Sequence, residues 1–113
     1  MDREGYERGI ELFNRGEFFA AHEVLEDVWR PVSGEGRRFL QGLVQMAVAL
    51  HHHSRGNAKG ARSVLARAVR NLTGYPEEYE GIQVGELLAQ ARGWQDALDA
   101  GRECPSRPQI TRR

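Results

Sequence analysis

The sequence predicts an all-α fold: a compact bundle of about five helices, made of two tetratricopeptide-like helical hairpins related by an offset of 40 residues. Three observations carry this reading. Apolar residues recur at three- and four-residue spacing in five successive blocks, the blocks are divided by Gly, Pro and Asn, and the chain aligns with itself when slid by 40 positions.

Tyr6, Ile10 and Phe13 mark one face of a first helix, which stops near Asn14-Arg15-Gly16 because Gly readily takes the left-handed cap. A second helix runs from about Glu17 to Arg30 with Phe18, Ala21, Leu25, Val28 and Trp29 inward. Pro31 and the Ser33-Gly34-Glu35-Gly36 loop close it. The third, about Arg37 to Arg55, is apolar on most sides between Phe39 and Leu50, which makes it the central helix. Gly56-Asn57 ends it. A fourth helix from about Ala58 to Leu72 turns Val64, Leu65, Ala68, Val69 and Leu72 inward, until Thr73-Gly74-Tyr75-Pro76 stops it. A fifth covers about Val84 to Ala100, with Leu87, Leu88, Ala91, Trp94 and Leu98 apolar. Residues 1–100 are thus expected to form one helical domain and residues 101–113 a frayed, flexible tail.

The self-alignment pairs Arg15-Gly16 with Arg55-Gly56, Ala21 with Ala61, Val24-Leu25 with Val64-Leu65, and Arg30 with Arg70. Matches on both sides of a glycine turn point to a repeated helix-turn-helix unit, similar to tetratricopeptide packing although longer and present in only two copies.

With 113 residues, 40% of them hydrophobic and 28% charged, the chain can bury enough apolar surface to fold without metal or disulfide support. The mean hydropathy of −0.61 and the brevity of the most apolar stretch, Leu43 to Leu50, argue against a membrane span. The N-terminal residues lack the pattern of a signal peptide, so a cytoplasmic protein is expected. The single Cys104 excludes an internal disulfide or a cysteine-based zinc site within one chain; a metal would need His and carboxylate ligands.

The net charge of zero conceals segregation. Residues 1–29 hold eight acids against three bases, residues 30–72 one acid against eight bases, and residues 73–100 six acids against one base. Helices of opposite charge that complement each other at their rims would explain this. The other reading is an anion site on the Arg55, Lys59, Arg62 and Arg70 stripe. Without net positive charge or exposed aromatics interleaved with the bases, the pattern argues against nucleic-acid binding.

The candidate functional cluster lies on the second helix, where His22, Glu26 and Trp29 share a face at i, i+4 and i+7. Glu23 and Asp27 point further outward. The third helix carries a polar stripe of Arg38, Gln41, Gln45 and His52 on an otherwise apolar surface. An antiparallel pairing of these helices would set His22 opposite about Gln45, and Glu26 opposite Gln41 and Arg38. The adjacent His51-His52-His53 run reads as a solvated helix end.

These residues also carry a resemblance. The blocks Phe13-Asn14-x-Gly16-x-Phe18-Phe19-x-Ala21-His22-Glu23-x-x-Glu26-x-x-Trp29, Phe39-Leu40-Gln41-Gly42-Leu43-x-Gln45-x-Ala47 and Arg55-Gly56-Asn57-x-x-Gly60-Ala61 resemble the family called domain of unknown function 309 over about residues 6–72. The resemblance implies a compact helical fold in a bacterial or archaeal protein of unassigned activity. It also implies that His22, Glu26 and Trp29 correspond to a motif suggested to bind metal.

Three readings of the cluster stay open. The first is a divalent, zinc-like metal held by His22 and Glu26, with a third ligand from Glu23, His52 or another chain. The second is a hydrogen-bond network of His22, Glu26, Arg38, Gln41 and Gln45 that fixes helix packing. The third is metal-free acid-base chemistry on a small ligand anchored by Arg38 or Arg30. A further hypothesis, of a different class, makes the whole protein a helical-hairpin interaction module for a peptide, a partner helix or a second copy of itself. A pocket at His22 would favour chemistry, and a sealed network would favour packing.

Overall fold

The computed structural model describes residues 1–113 and is all-α apart from one minimal hairpin. The elements are α1 (Arg3–Asn14), α2 (Phe18–Trp29), α3 (Glu35–Ser54), α4 (Ala58–Leu72), β1 (Glu78–Tyr79), β2 (Ile82–Gln83) and α5 (Val84–Ala100). α1 begins ahead of the apolar periodicity because the Asp2 carboxylate accepts the Gly5 backbone N–H and caps it. α4 and α5 have the bounds that their sequence patterns predict.

α3 packs against both α2 and α4, which makes it the central helix expected from its apolar surface. Phe39, Leu43, Met46 and Ala47 on α3 are fully buried in one core with Tyr6, Ile10 and Phe13 of α1, Leu25 of α2 and Leu72 of α4. α5 closes the far side against α4 and β1. No helix is long and apolar enough to cross a membrane.

The two helical turns are built alike at the 40-residue offset. Gly16 takes φ +83° and Gly56 φ +76°, the left-handed conformation that favours glycine. The Gly16 N–H donates to the Phe13 carbonyl and Glu17 N–H to Leu12; 40 residues on, Gly56 donates to His53 and Asn57 to His52. Ala21 and Ala61, then Leu25 and Leu65, are buried in both copies. The correspondence is thus a property of the two turns and the helices that follow them.

Residues 101–113 differ from the expected frayed tail. Ile110 is buried, Arg112 forms an isolated antiparallel bridge with Ile82, and the Asn14 side chain hydrogen-bonds both the N–H and the carbonyl of Ile110. The helical periodicity used to find core residues does not register a single apolar residue in an extended, polar segment. The β hairpin has no periodic signal either, since two-residue strands carry no alternation.

Candidate functional site

On α2 the His22 ring leans back toward its own helix: Nδ1 donates to the Phe19 carbonyl at 2.8 Å, which leaves Nε2 free to accept in the neutral ring. The ring meets that of Phe19 edge to face at a centroid distance of 5.0 Å, and His51 of α3 meets the same ring at 5.2 Å. Phe19 stays 52% exposed between the two imidazoles. Glu26 turns instead to Arg30, one helical turn on, at 2.7 Å. Arg30 also holds Asp27 at 2.6 Å, while Glu23 is exposed.

Trp29 takes a different path. Its ring lies under the Arg37 guanidinium, 4.1 Å from centroid to carbon, and its buried Nε1–H has no acceptor. The same guanidinium donates to the carbonyls of Trp29, Arg30 and Val32 and closes the end of α2.

The stripe on α3 faces α4, not α2. Arg38 Nη1 donates to the carbonyls of Asn71 and Thr73, both at 2.9 Å, with that of Arg70 at 3.4 Å, and its guanidinium lies 4.6 Å over Tyr75. Gln45 accepts from the Asn71 amide at 2.7 Å. Gln41 is half-buried and makes no side-chain hydrogen bond to another residue. The expected pairing of His22 with Gln45, and of Glu26 with Gln41 and Arg38, is therefore corrected. α3 has a neighbour on each side, and Arg38 and Gln45 lie on the side of α4.

The three consecutive histidines diverge because successive residues point about 100° apart around a helix. His51 meets Phe19 of α2, His52 Nδ1 accepts from Asn57 at 3.2 Å in the α3–α4 turn, and His53 sets its edge against Trp94 of α5 at 4.8 Å. All three are half-buried, where a solvated helix end was expected. His22 Nδ1, Glu26 and His52 Nδ1 thus turn to three different neighbours, and no group of three His, Cys, Asp or Glu is placed to hold a metal ion. The metal ligands expected at His22, Glu26 and His52 are not brought together.

Of the basic stripe, Arg62 pairs with Asp99 of α5 at 2.7 Å, a contact between oppositely charged helices. Two of the four arginines beyond residue 101 serve the acidic flanks: Arg112 pairs with Glu7 and Arg113 with Glu78.

The concavities lie elsewhere. The largest, about 610 Å³, opens between the start of α3 and Tyr75 and Tyr79; Arg38 is the one candidate residue that lines it. A second, about 410 Å³, is lined by His53, Trp94 and Cys104. Burial, then Glu103, pushes the Cys104 thiol up, and burial pushes the Tyr6 and Tyr79 hydroxyls up. Phe19 is not among the residues that the His22, Glu26 and Trp29 face singles out. Its signal is that it lies about 100° from Phe18, away from the stripe of Phe18, Ala21 and Leu25 that faces the core.

A family model described as "Domain of unknown function (DUF309)" matches residues 6–64. The chain belongs to this family. An uncharacterized protein of Aquifex aeolicus (strain VF5) is 35% identical over 78 residues, which are 68% of this chain and 23% of that protein. The uncharacterized protein YpuF of Bacillus subtilis (strain 168) is 35% identical over 82 residues, 70% of this chain and 47% of YpuF. The DUF309 chain thus spans less than half the length of either relative.

Proposed function

We propose that this DUF309 chain is a helical protein-interaction module whose contact surface is the α2–α3 face around Phe19, and that the partner is a protein offering an apolar cleft. One observation carries the reading: the face expected to hold a site presents an exposed aromatic ring braced by His22 and His51, with no pocket beneath it. A large aromatic held in one orientation loses little side-chain freedom when it is covered, and such residues dominate binding energy at interfaces. The His22 Nε2 beside it is free for a hydrogen bond at the rim. That the family unit occurs within longer relatives supports a module rather than a self-sufficient enzyme.

The test places a photo-crosslinking phenylalanine analogue at position 19 in living cells, and at the exposed Ala89 of α5 as the control. The expected result is a discrete adduct from position 19 alone, lost in a His51→Asp background. The adduct partner, identified by mass spectrometry and purified, should bind Phe19→Ser at least roughly tenfold more weakly, about 1.4 kcal/mol. The reading fails if position 19 yields no adduct of its own, or if Phe19→Ser binds the partner as well as wild type.

A further inference from the structure

Residues 107–113 are held by the rest of the protein in the way a receptor holds an extended peptide. Asn14 of α1 reads the backbone of Ile110: its Oδ1 accepts the Ile110 N–H at 2.7 Å and its Nδ2 donates to the Ile110 carbonyl at 2.9 Å. Gln90 of α5 does the same for Gln109, with both bonds at 2.9 Å. The next residues extend the edge of the hairpin through a single antiparallel bridge. The Gln83 N–H donates to the Thr111 carbonyl at 2.8 Å, and the Arg113 N–H to the Gly81 carbonyl at 2.9 Å, around the Ile82–Arg112 bridge.

The side chains supply selectivity. Ile110 is 2% exposed and enters the common core, while Arg112 and Arg113 meet Glu7 and Glu78 on the acidic rim. The Arg107 guanidinium lies against Gly16, where an added Cβ would come within 2.2 Å of it. Backbone-reading amides, backbone pairing at a sheet edge, one apolar socket and a charged rim together are the apparatus of extended-peptide recognition. Nothing in the backbone bonds depends on the identity of Gln109 or Ile110, so another segment with the same side-chain spacing would make them equally well.

We propose that the groove between α1, α5 and β2 is a peptide-binding site and that residues 107–113 are its tethered occupant. Its ligand in trans is an extended protein segment with a β-branched aliphatic residue followed two and three places later by Arg or Lys. The site is separate from the Phe19 face. Tethering keeps the groove filled, because a short linker holds its occupant at a high effective concentration. An incoming segment must displace residues 107–113.

The test inserts a protease recognition sequence between the exposed Arg102 and Glu103 of the full chain and cuts it after folding. The probe is a fluorescent peptide of residues 105–113, Pro-Ser-Arg-Pro-Gln-Ile-Thr-Arg-Arg. The cut protein should keep its helical circular dichroism and exchange its segment for the probe with a saturable rise in anisotropy. The uncut protein should bind the probe at least roughly tenfold more weakly. Asn14→Ala in the protein, or aspartate in place of isoleucine in the probe, should each weaken binding by a similar factor. As a second variant, Ile110→Asp in the intact chain vacates the groove and should take up the wild-type probe. Equal binding of the aspartate probe would overturn the proposal. So would loss of the fold in both the cut chain and Ile110→Asp, since the segment would then be integral core. A dimer of the uncut chain that the probe dissolves would make a second copy the occupant and overturn the assignment to a different partner.

Discussion

Replacing Arg38 with alanine removes the cation that closes the C-terminal end of α4. Two carbonyls there, of Asn71 and Thr73, accept from Nη1 at 2.9 Å, and the Tyr75 ring lies 4.6 Å from the guanidinium carbon. A hydrogen bond from a charged donor contributes about 1.5–3 kcal/mol when buried, but Arg38 is exposed, so about 0.5 kcal/mol for each is reasonable. A cation over an aromatic face adds about 0.5 kcal/mol at an exposed site, and a cation at a helix C-terminus about 0.5 kcal/mol more. The expected loss is about 2 kcal/mol. At an unfolding entropy of about 2.1 cal/mol/K per residue, that lowers the melting temperature by about 8 °C. Thermal and urea melts followed by circular dichroism read the change directly. Arg38→Lys keeps the charge but not the planar fork, so it should recover less than half. A shift of under about 2 °C for Arg38→Ala, or full rescue by lysine, would refute the capping role and return Arg38 to the candidates for ligand binding.

Alkaline conditions should weaken the fold. Burial first, then Glu80, raises the Tyr6 hydroxyl, which donates to the Glu80 carbonyl at 2.8 Å; burial first, then Tyr75, raises Tyr79. Because the folded state holds these protons more tightly, their contribution is complete below the unfolded value near pH 10 and is lost as pH rises through the folded values. Urea midpoints should therefore fall above about pH 10, and Tyr6→Phe should flatten the fall; a midpoint independent of pH up to about 11 contradicts this. Trp29→Phe should lie within about 1 kcal/mol of wild type, since losing the unpaired buried N–H offsets the lost contact area, whereas Trp29→Ala should cost about 3 kcal/mol. Chemical denaturation compares the two, and a phenylalanine as costly as alanine would mean that the indole N–H has a partner. Equimolar zinc should raise the melting temperature by less than about 2 °C, because a ligand stabilises only in proportion to its binding of the folded state. A rise above about 5 °C that His22→Ala abolishes would revive the metal reading.

Much of the fold was legible because helical periodicity is a local property. The glycine stops at Gly16 and Gly56, the inward Ala21, Leu25, Leu65 and Leu72, and the central rank of α3 all follow from spacings of three and four. The common face of His22, Glu26 and Trp29 was equally local. Their partners were not. Arg37 and Arg38 are adjacent, yet one closes α2 and the other α4, because a step of about 100° sends them to different neighbours.

By itself the sequence determined five helices, where they stop, and which residues could share a face, since backbone geometry sets these within one or two turns. Only the tertiary structure decided that Arg38 and Gln45 belong to α4, that Phe19 is the exposed centre of the His22 face, and that Asn14 grips a segment 96 residues away. Those outcomes depend on which elements become neighbours in space, and that is settled by burying the whole apolar surface at once, not by any single stretch of chain.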